Sequence, residues 1–419
     1  MRRFATILWL ILLVLPVLAE EKADVKVFDQ AWETVRDRFY DDNLHGVDWE
    51  GAHEDYLPLA KEAKTPEELH SVINMMLAEL AASHLVLMEK EAYDVHMAPE
   101  FTGKKTMRAG FEAMEMEDGF FVGGVLEKGP AEKAGIRLGD RIVEINGESP
   151  ADCGLLVDAG GDPGIPGHPH YFIHAEEGET IEVTVQREDD GSERTYRVKP
   201  APCSMVQASR DSIRVIEKDG VKLGYIHLWH YLSPSIASAL SGAIRKEFKD
   251  CDGLVLDVRG RGGNVMVIYQ VLGTIKRRWK KPVTCLIDEN SRSAKEIFAF
   301  QWRKDKLGPL VGRTTAGAVL GCTFERMKDG SVLLIPVTDV GNLSPGVKLE
   351  GKGVSPDIEV PGDYRYCGGE DPVIEKGVET LLEMINGSWL GWAVELRPAA
   401  WLDGRGEAWQ DEAPHEEGA

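Results

Sequence analysis

Apolar residues recur every three to four positions early in the chain, then every second position or in unbroken runs, and this change of period divides it. In "VFDQAWETVRDRFY" the repeat is Phe28, Trp32, Val35 and Phe39, and in "TPEELHSVINMMLAEL" it is Leu69, Val72, Ile73, Met76, Leu77 and Leu80. Both patterns predict amphipathic helices. The second has a start signal, with Thr65 as N-cap, Pro66 as first helical residue and Glu68 as capping-box partner. Its end near "AASHL" puts Ser83 and His84 at a helix C-terminal edge, where histidine suits the dipole. From "RAGFEAMEMEDGFFVGGVLEKG" onward the pattern is one of short strands and turns. After Pro200, strand-like "VKLGYIHLWHY", "CDGLVLDVRGRGGN" and "KPVTCLIDEN" alternate with helix-like "SPSIASALSGAIRKEF" and "SAKEIFAFQWRKD". That alternation predicts an α/β unit with a largely parallel sheet, whose ligands bind beyond the carboxyl ends of the strands. "DVRGRGGN" and "DENSRSAKE" lie at such ends, so Gly262, Gly263 and Ser293 are expected to meet over one site.

Composition narrows the picture. With 43% hydrophobic and 28% charged residues among 419, the chain has enough apolar surface for two or three folded domains. Seventy acidic against 48 basic residues give a net charge of −22, which argues against nucleic acid as a partner. "MRRFATILWLILLVLPVLAEEK" has two arginines, an apolar run short for a spanning helix and a small-residue cleavage site before Glu20. It reads as a signal peptide over 1–19, with an uncleaved anchor as the alternative, and places the protein outside the cytoplasm. Only the uncleaved form would bring it to a membrane. Six widely spaced cysteines match neither a zinc motif nor a dense disulfide framework. His168, His170 and His174 lack an acidic or cysteine partner at zinc-site spacing, so no metal or cofactor is expected.

Candidate chemistry centres on Ser293, which by position is a helix N-cap, a nucleophile or both. Lys295, two residues on, does not face it on a helix and reads as a surface or substrate-facing charge.

"GPAEKAGIRLGDRIVEING", following a strand that starts after Ala109-Gly110-Phe111, resembles a PDZ domain of extracytoplasmic proteases. The resemblance implies that an extended peptide adds as a strand, its carboxylate held near Arg108, Gly110 and Phe111. Residues 150–174 read as a loop-rich insertion. The whole order, over roughly residues 25 to 380, resembles the tricorn-like and C-terminal processing serine peptidases. "VLDVRGRGGN" resembles the family's Asp-x-Arg strand and glycine loop, "NSRSAKEIF" its nucleophile motif, "LVGRTTAG" the strand and turn that follow, and "LEGKGVSPDIEV" its acidic Gly-Val-x-Pro-Asp motif. The implied fold is α/β and multidomain: a helical segment over 24–100, a mainly β PDZ domain over 101–200, a crotonase-like α/β core over 205–383 and an extension over 384–419.

One branch of this family uses a lysine base in a Thr-x-Gly-Lys-Gly turn, where this chain has Ala318 in "TTAGAVLG". The other uses a histidine from the helical segment, which maps to His84. The resemblance then implies Ser293 as nucleophile, His84 as base, and Ser83 and Glu350 orienting the histidine. The amides of Gly263 (or Gly262) and Ala294 would form the oxyanion hole. Arg261 and Asn264 depart from the family's usual glycine turn, and Arg292 and Lys295 add positive charge that would favour acidic substrate residues. The expected activity is endopeptidase action on peptides or unfolded proteins, with an oligomer allowed. The rival reading is a noncatalytic peptide-binding adaptor.

Overall fold

The computed structural model describes residues 23–159, 169–360 and 364–388. The expected signal segment, His168 and most of the expected C-terminal extension lie outside them.

Three helices, α1 (Lys26–Arg38), α2 (Trp49–Glu62) and α3 (Pro66–Ala78), open the described chain. Their apolar stripes are core: Phe28 and Val35 of α1 and Leu69, Ile73 and Leu77 of α3 are almost wholly buried. Thr65 caps α3 by accepting from the Glu68 amide at 3.3 Å. The Glu68 carboxylate reaches back to the Lys64 amide at 2.7 Å, one residue before the expected partner. Because α3 stops at Ala78, Ser83 and His84 lie beyond the helix, in the turn leading to β1 (Val86–Met88), and not at its edge as the sequence pattern predicts.

The middle unit comprises β2 (Thr106–Arg108), β3 (Phe111–Met116), β4 (Gly119–Val125), α4 (Pro130–Ala134), β5 (Arg141–Ile145), β6 (Leu156–Asp158), β7 (His170–Ile173), β8 (Ile181–Gln186), β9 (Glu193–Val198) and β10 (Ala201–Cys203). Strands β2 and β10 pair antiparallel, Arg108 opposite Ala201, and bring the two ends of the unit together. Between them runs one sheet of order β6-β7-β3-β4-β5-β8-β9. The segment expected to be a loop-rich insertion thus contributes two strands, because Val157, Phe172 and Ile173 have apolar surface to bury and do bury it.

The last unit comprises α5 (Met205–Asp211), β11 (Arg214–Lys218), β12 (Val221–His227), α6 (Ser235–Arg245), β13 (Gly253–Asp257), α7 (Val265–Arg278), β14 (Val283–Ile287), α8 (Ala294–Lys304), β15 (Leu310–Gly312), β16 (Gly321–Arg326), β17 (Val332–Thr338), β18 (Ile358–Glu359) and α9 (Pro372–Ile385). Its main sheet has the order β11-β12-β13-β14-β15-β18. Only β11 is antiparallel to its neighbour. Every residue of β13 and β14 is buried, as a parallel sheet covered on both faces requires. Leu240, Ile268 and Phe298 of α6, α7 and α8 pack on one face, and Val378 and Leu381 of α9 on the other. A second sheet, β1-β17-β16, joins the helical segment to this core: Val86 lies opposite Leu334, and Leu333 and Ile335 pack with Phe28 and Ile73.

Candidate active site

Ser293 lies between β14 and α8, at the carboxyl end of a central parallel strand. It has φ 57° and ψ −124°, a conformation that costs a non-glycine residue about 1–3 kcal/mol. Its surroundings fix it there. The Ser293 amide donates to Ala318 O at 2.6 Å and lies 3.3 Å from Glu296 Oε2. Glu296, fully buried, also accepts from Thr315 Oγ1 at 2.6 Å and from the Gly317 and Ala318 amides at 2.7 Å each. Burial pushes its carboxyl up to about 7, against the pull of those donors. The turn that carries a lysine in the other branch therefore serves here as a backbone clasp on α8.

The glycine turn after β13 closes over Ser293. A methyl group on Gly262 would lie 2.6 Å from Ser293 Cβ, and one on Gly263 2.3 Å from the Tyr231 carbonyl carbon, so neither position admits a side chain. Tyr231 N donates to Gly262 O at 2.9 Å and Asn264 N donates to Tyr231 O at 2.8 Å. Asp288 Oδ1 accepts from the Gly260 amide at 3.2 Å and from Ser291 Oγ at 2.8 Å, joining the glycine turn to the turn before Ser293. Among the described residues the amides of Gly262, Gly263 and Ala294 donate to no protein acceptor.

Ser83 and His84 enter from the helical segment. His84, at φ 60° and 4% exposed, has Nδ1 2.9 Å from Ser83 Oγ. Ser83 Oγ donates to Glu350 Oε2 at 3.1 Å, and the Ser83 amide to Glu350 Oε1 at 3.1 Å. With the hydroxyl proton given to the carboxylate, the Ser83 oxygen accepts from His84 Nδ1–H, a tautomer that leaves Nε2 as the basic nitrogen. Glu350 Oε2 also takes the Val319 amide at 2.7 Å. One chain of contacts, His84 to Ser83 to Glu350 to the 317–319 turn, thus ends on the Ser293 amide.

Lys295 is not a surface or substrate-facing charge. It is fully buried, and its ammonium donates to the carbonyls of Leu228, Trp229 and Arg259 at 2.8, 2.8 and 2.7 Å. Three N–H donors meet three acceptors beneath the glycine turn, while burial pushes the group down to about 7. Asn264 caps α7, accepting from the Met266 amide at 2.8 Å. Arg261 reaches out of the turn to Ala159 O at 2.7 Å and lies over the Phe172 ring, 5.4 Å from its centroid.

Around Arg108, Gly110 and Phe111 the geometry departs from a peptide-docking loop. Arg108 is 4% exposed and pairs with Glu100 at 2.9 Å; Glu100 in turn lies 3.0 Å from His230 Nε2 and accepts the Met205 amide at 3.0 Å. The edge of β3 not taken by β4 is taken by β7, with Glu112, Ala113 and Met114 opposite Phe172, Tyr171 and His170. Next to it His174, one of the histidines weighed above as a metal ligand, lies 2.7 Å from Glu91.

The roles of Glu296 and of the carbonyls around Lys295 emerge only with the fold. An acidic residue three positions beyond the serine that caps a helix is the available signal for Glu296; the burial of Lys295 has none.

Residues 24–78 match the family described as Tricorn protease C1 domain, 121–153 the PDZ domain and 265–360 Peptidase family S41. The PDZ match stops before β6. The chain is 26% identical over 411 residues to the Tricorn protease of Thermoplasma acidophilum, covering 89% of this chain and 36% of that one. It is 24% identical to Putative tricorn protease homolog 2 of Streptomyces coelicolor, covering 86% and 32%. Against the Carboxy-terminal processing protease CtpB of Bacillus subtilis the identity is 28% over 335 residues, covering 72% and 64%. The chain therefore spans about a third of the length of the tricorn relatives. Among solved structures, mature CPAF shares the fold with a TM-score of 0.53 at 12% identity, covering 87% of this chain and 97% of that one. Domain order, the three matched segments and these relatives agree in one likeness: the chain is similar to the tricorn and carboxy-terminal processing proteases, with segments that match Peptidase family S41 and a PDZ domain.

Proposed function

We propose that this chain is a serine endopeptidase in which Ser293 is the nucleophile and His84 the general base. The observation that carries the reading is the contact chain from His84 through Ser83 and Glu350 to the turn holding the Ser293 amide. His84 Nε2 takes the Ser293 proton as the hydroxyl attacks the scissile carbonyl, and the Ser83–Glu350 pair stabilises the imidazolium that forms. The carbonyl oxygen, now negative, sits against the amides of Gly263 (or Gly262) and Ala294, the second at a helix N-terminus. Collapse of this intermediate passes the proton to the leaving amine and leaves an acyl-Ser293 ester, which water hydrolyses by the same route in reverse. The substrates are peptides or unfolded proteins, and the N-terminal apolar run supports action outside the cytoplasm.

A fluorophosphonate probe tests this directly. The expected result is an adduct mapped by mass spectrometry to Ser293, absent in Ser293→Ala and formed at least ~10³-fold more slowly in His84→Ala. Hydrolysis of an unfolded reporter should fall with it. A folded wild-type protein that forms no adduct and binds unfolded chains without cutting them would establish the adaptor reading instead.

A further inference from the structure

A PDZ domain takes a peptide by strand addition, on the free edge of the strand that follows its carboxylate-binding loop. Here that strand is β3 and the loop is Arg108 to Phe111. One edge of β3 is paired with β4, so the other is the docking edge, and β7 of the same chain fills it. The occupant has a ligand's polarity. Strand β7 runs antiparallel to β3, and Phe172, near its carboxyl end, lies opposite Glu112, next to the start of β3 where a peptide's terminus would lie. Phe172 and Ile173 are buried, and the Phe172 ring stacks on His96 with centroids 4.2 Å apart and planes within 5°. The space left against Arg108, Gly110, Phe111, Phe172 and Ile173 is about 10 Å3, no more than a single water needs. Arg108, which would meet a peptide's terminal charge, already has its carboxylate in Glu100.

The same hairpin touches the glycine turn. Arg261, the bulky departure in that turn, donates to Ala159 just after β6 and lies over Phe172 of β7. Gly262, the next residue, is packed against Ser293. The strand-forming insertion and the unusual arginine are therefore two halves of one contact.

We infer that the β6–β7 hairpin is a built-in ligand, permanently seated in the strand-addition groove and propping the oxyanion turn through Arg261, so that this chain works without a peptide docked on its PDZ domain. The inference rests on the peptidase reading for its second half only. Occupancy of the groove stands on strand pairing alone.

A disulfide across the pair tests it in the full chain. Met114 and His170 are directly opposed, a separation that a disulfide spans. In Met114→Cys with His170→Cys, oxidised and checked by mass spectrometry, Ser293 labelling and reporter hydrolysis should be the same before and after reduction. A locked protein that is inert and recovers on reduction would overturn the inference, because the hairpin would then have to leave. Fluorescence anisotropy of a fluorescein-tagged decapeptide ending in Leu-Ala-Ala reads the groove even if no variant is active. Binding should be unaffected by the lock, and binding that appears only on reduction would overturn occupancy while leaving the peptidase reading untouched. Arg261→Ala should lower kcat roughly ten- to hundredfold with KM unchanged, since a displaced turn affects the reaction and not substrate capture. Arg261→Lys should restore part of that loss. A rise in KM alone would make Arg261 a substrate contact and remove its propping role.

Discussion

Ser293 at φ 57° and His84 at φ 60° both hold a backbone conformation that side chains disfavour. The two residues proposed to exchange a proton are thus both held in place against local preference, as expected where the surrounding fold over-determines a site. At Ser293 the strain is separable from the chemistry. Ser293→Ala and Ser293→Gly both remove the hydroxyl, but only glycine relaxes at this φ. The glycine variant should be the more stable by about 1 kcal/mol in chemical denaturation. Equal stabilities would mean that the elbow is unstrained. Glu296 explains how the strain is tolerated, with one buried carboxylate collecting the hydroxyl of Thr315 and the amides of Gly317 and Ala318.

Among the elements, β13 and α9 are joined by a buried ionic cluster at the same end of the sheet as the site. Arg259 lies 2.6 Å from Asp257 and 2.7 Å from Asp371, and Asp371 caps α9 through the Val373 and Ile374 amides. Burial alone would raise the Asp257 carboxyl, but the charges of Arg259 and His227 outweigh it and hold the group well below the usual carboxylate range. Because the unfolded chain takes up that proton first as pH falls, the stability Asp257 contributes is complete above roughly pH 4 and drains away below it. Asp257→Asn should cost about 2–3 kcal/mol at neutral pH, by leaving the buried Arg259 with Asp371 as its remaining carboxylate, and flatten the acid limb of a stability-against-pH curve. An unchanged acid limb would assign the acid sensitivity to other groups. The elements themselves were legible. Helical stripes, the alternation after Pro200 and the Thr65 cap appear where the periods put them, but α3 ends before Ser83 and His84 and Glu68 takes the Lys64 amide. The β6–β7 hairpin was hidden, because glycine, proline and histidine around it gave the composition of a loop while its pairing with β3 is a tertiary fact.

Across the whole molecule, the site is assembled from segments that are far apart in sequence, Ser83 and Glu350 being 267 positions from each other. The motif order was readable because the motifs themselves stand in the sequence. Their wiring was not, since the Ser293–Ala318 and Val319–Glu350 contacts involve backbone amides that any sequence would supply. With helical segment and core sharing the β1-β17-β16 sheet and one apolar cluster, site and fold should melt together. Loss of Ser293 labelling and the change in tryptophan fluorescence, from Trp32 and Trp49 as well as Trp229 and Trp302, should follow one thermal transition. Labelling that disappears first would show the helical segment detaching on its own. The separation also orders events in time. Synthesis delivers the proposed base first and the proposed nucleophile some two hundred residues later, but the carboxylate bound to Ser83 comes only at Glu350. Until that residue has left the ribosome, a growing chain lacks one part of the proposed site, and on the peptidase reading its unfolded neighbours, itself included, are safe from it.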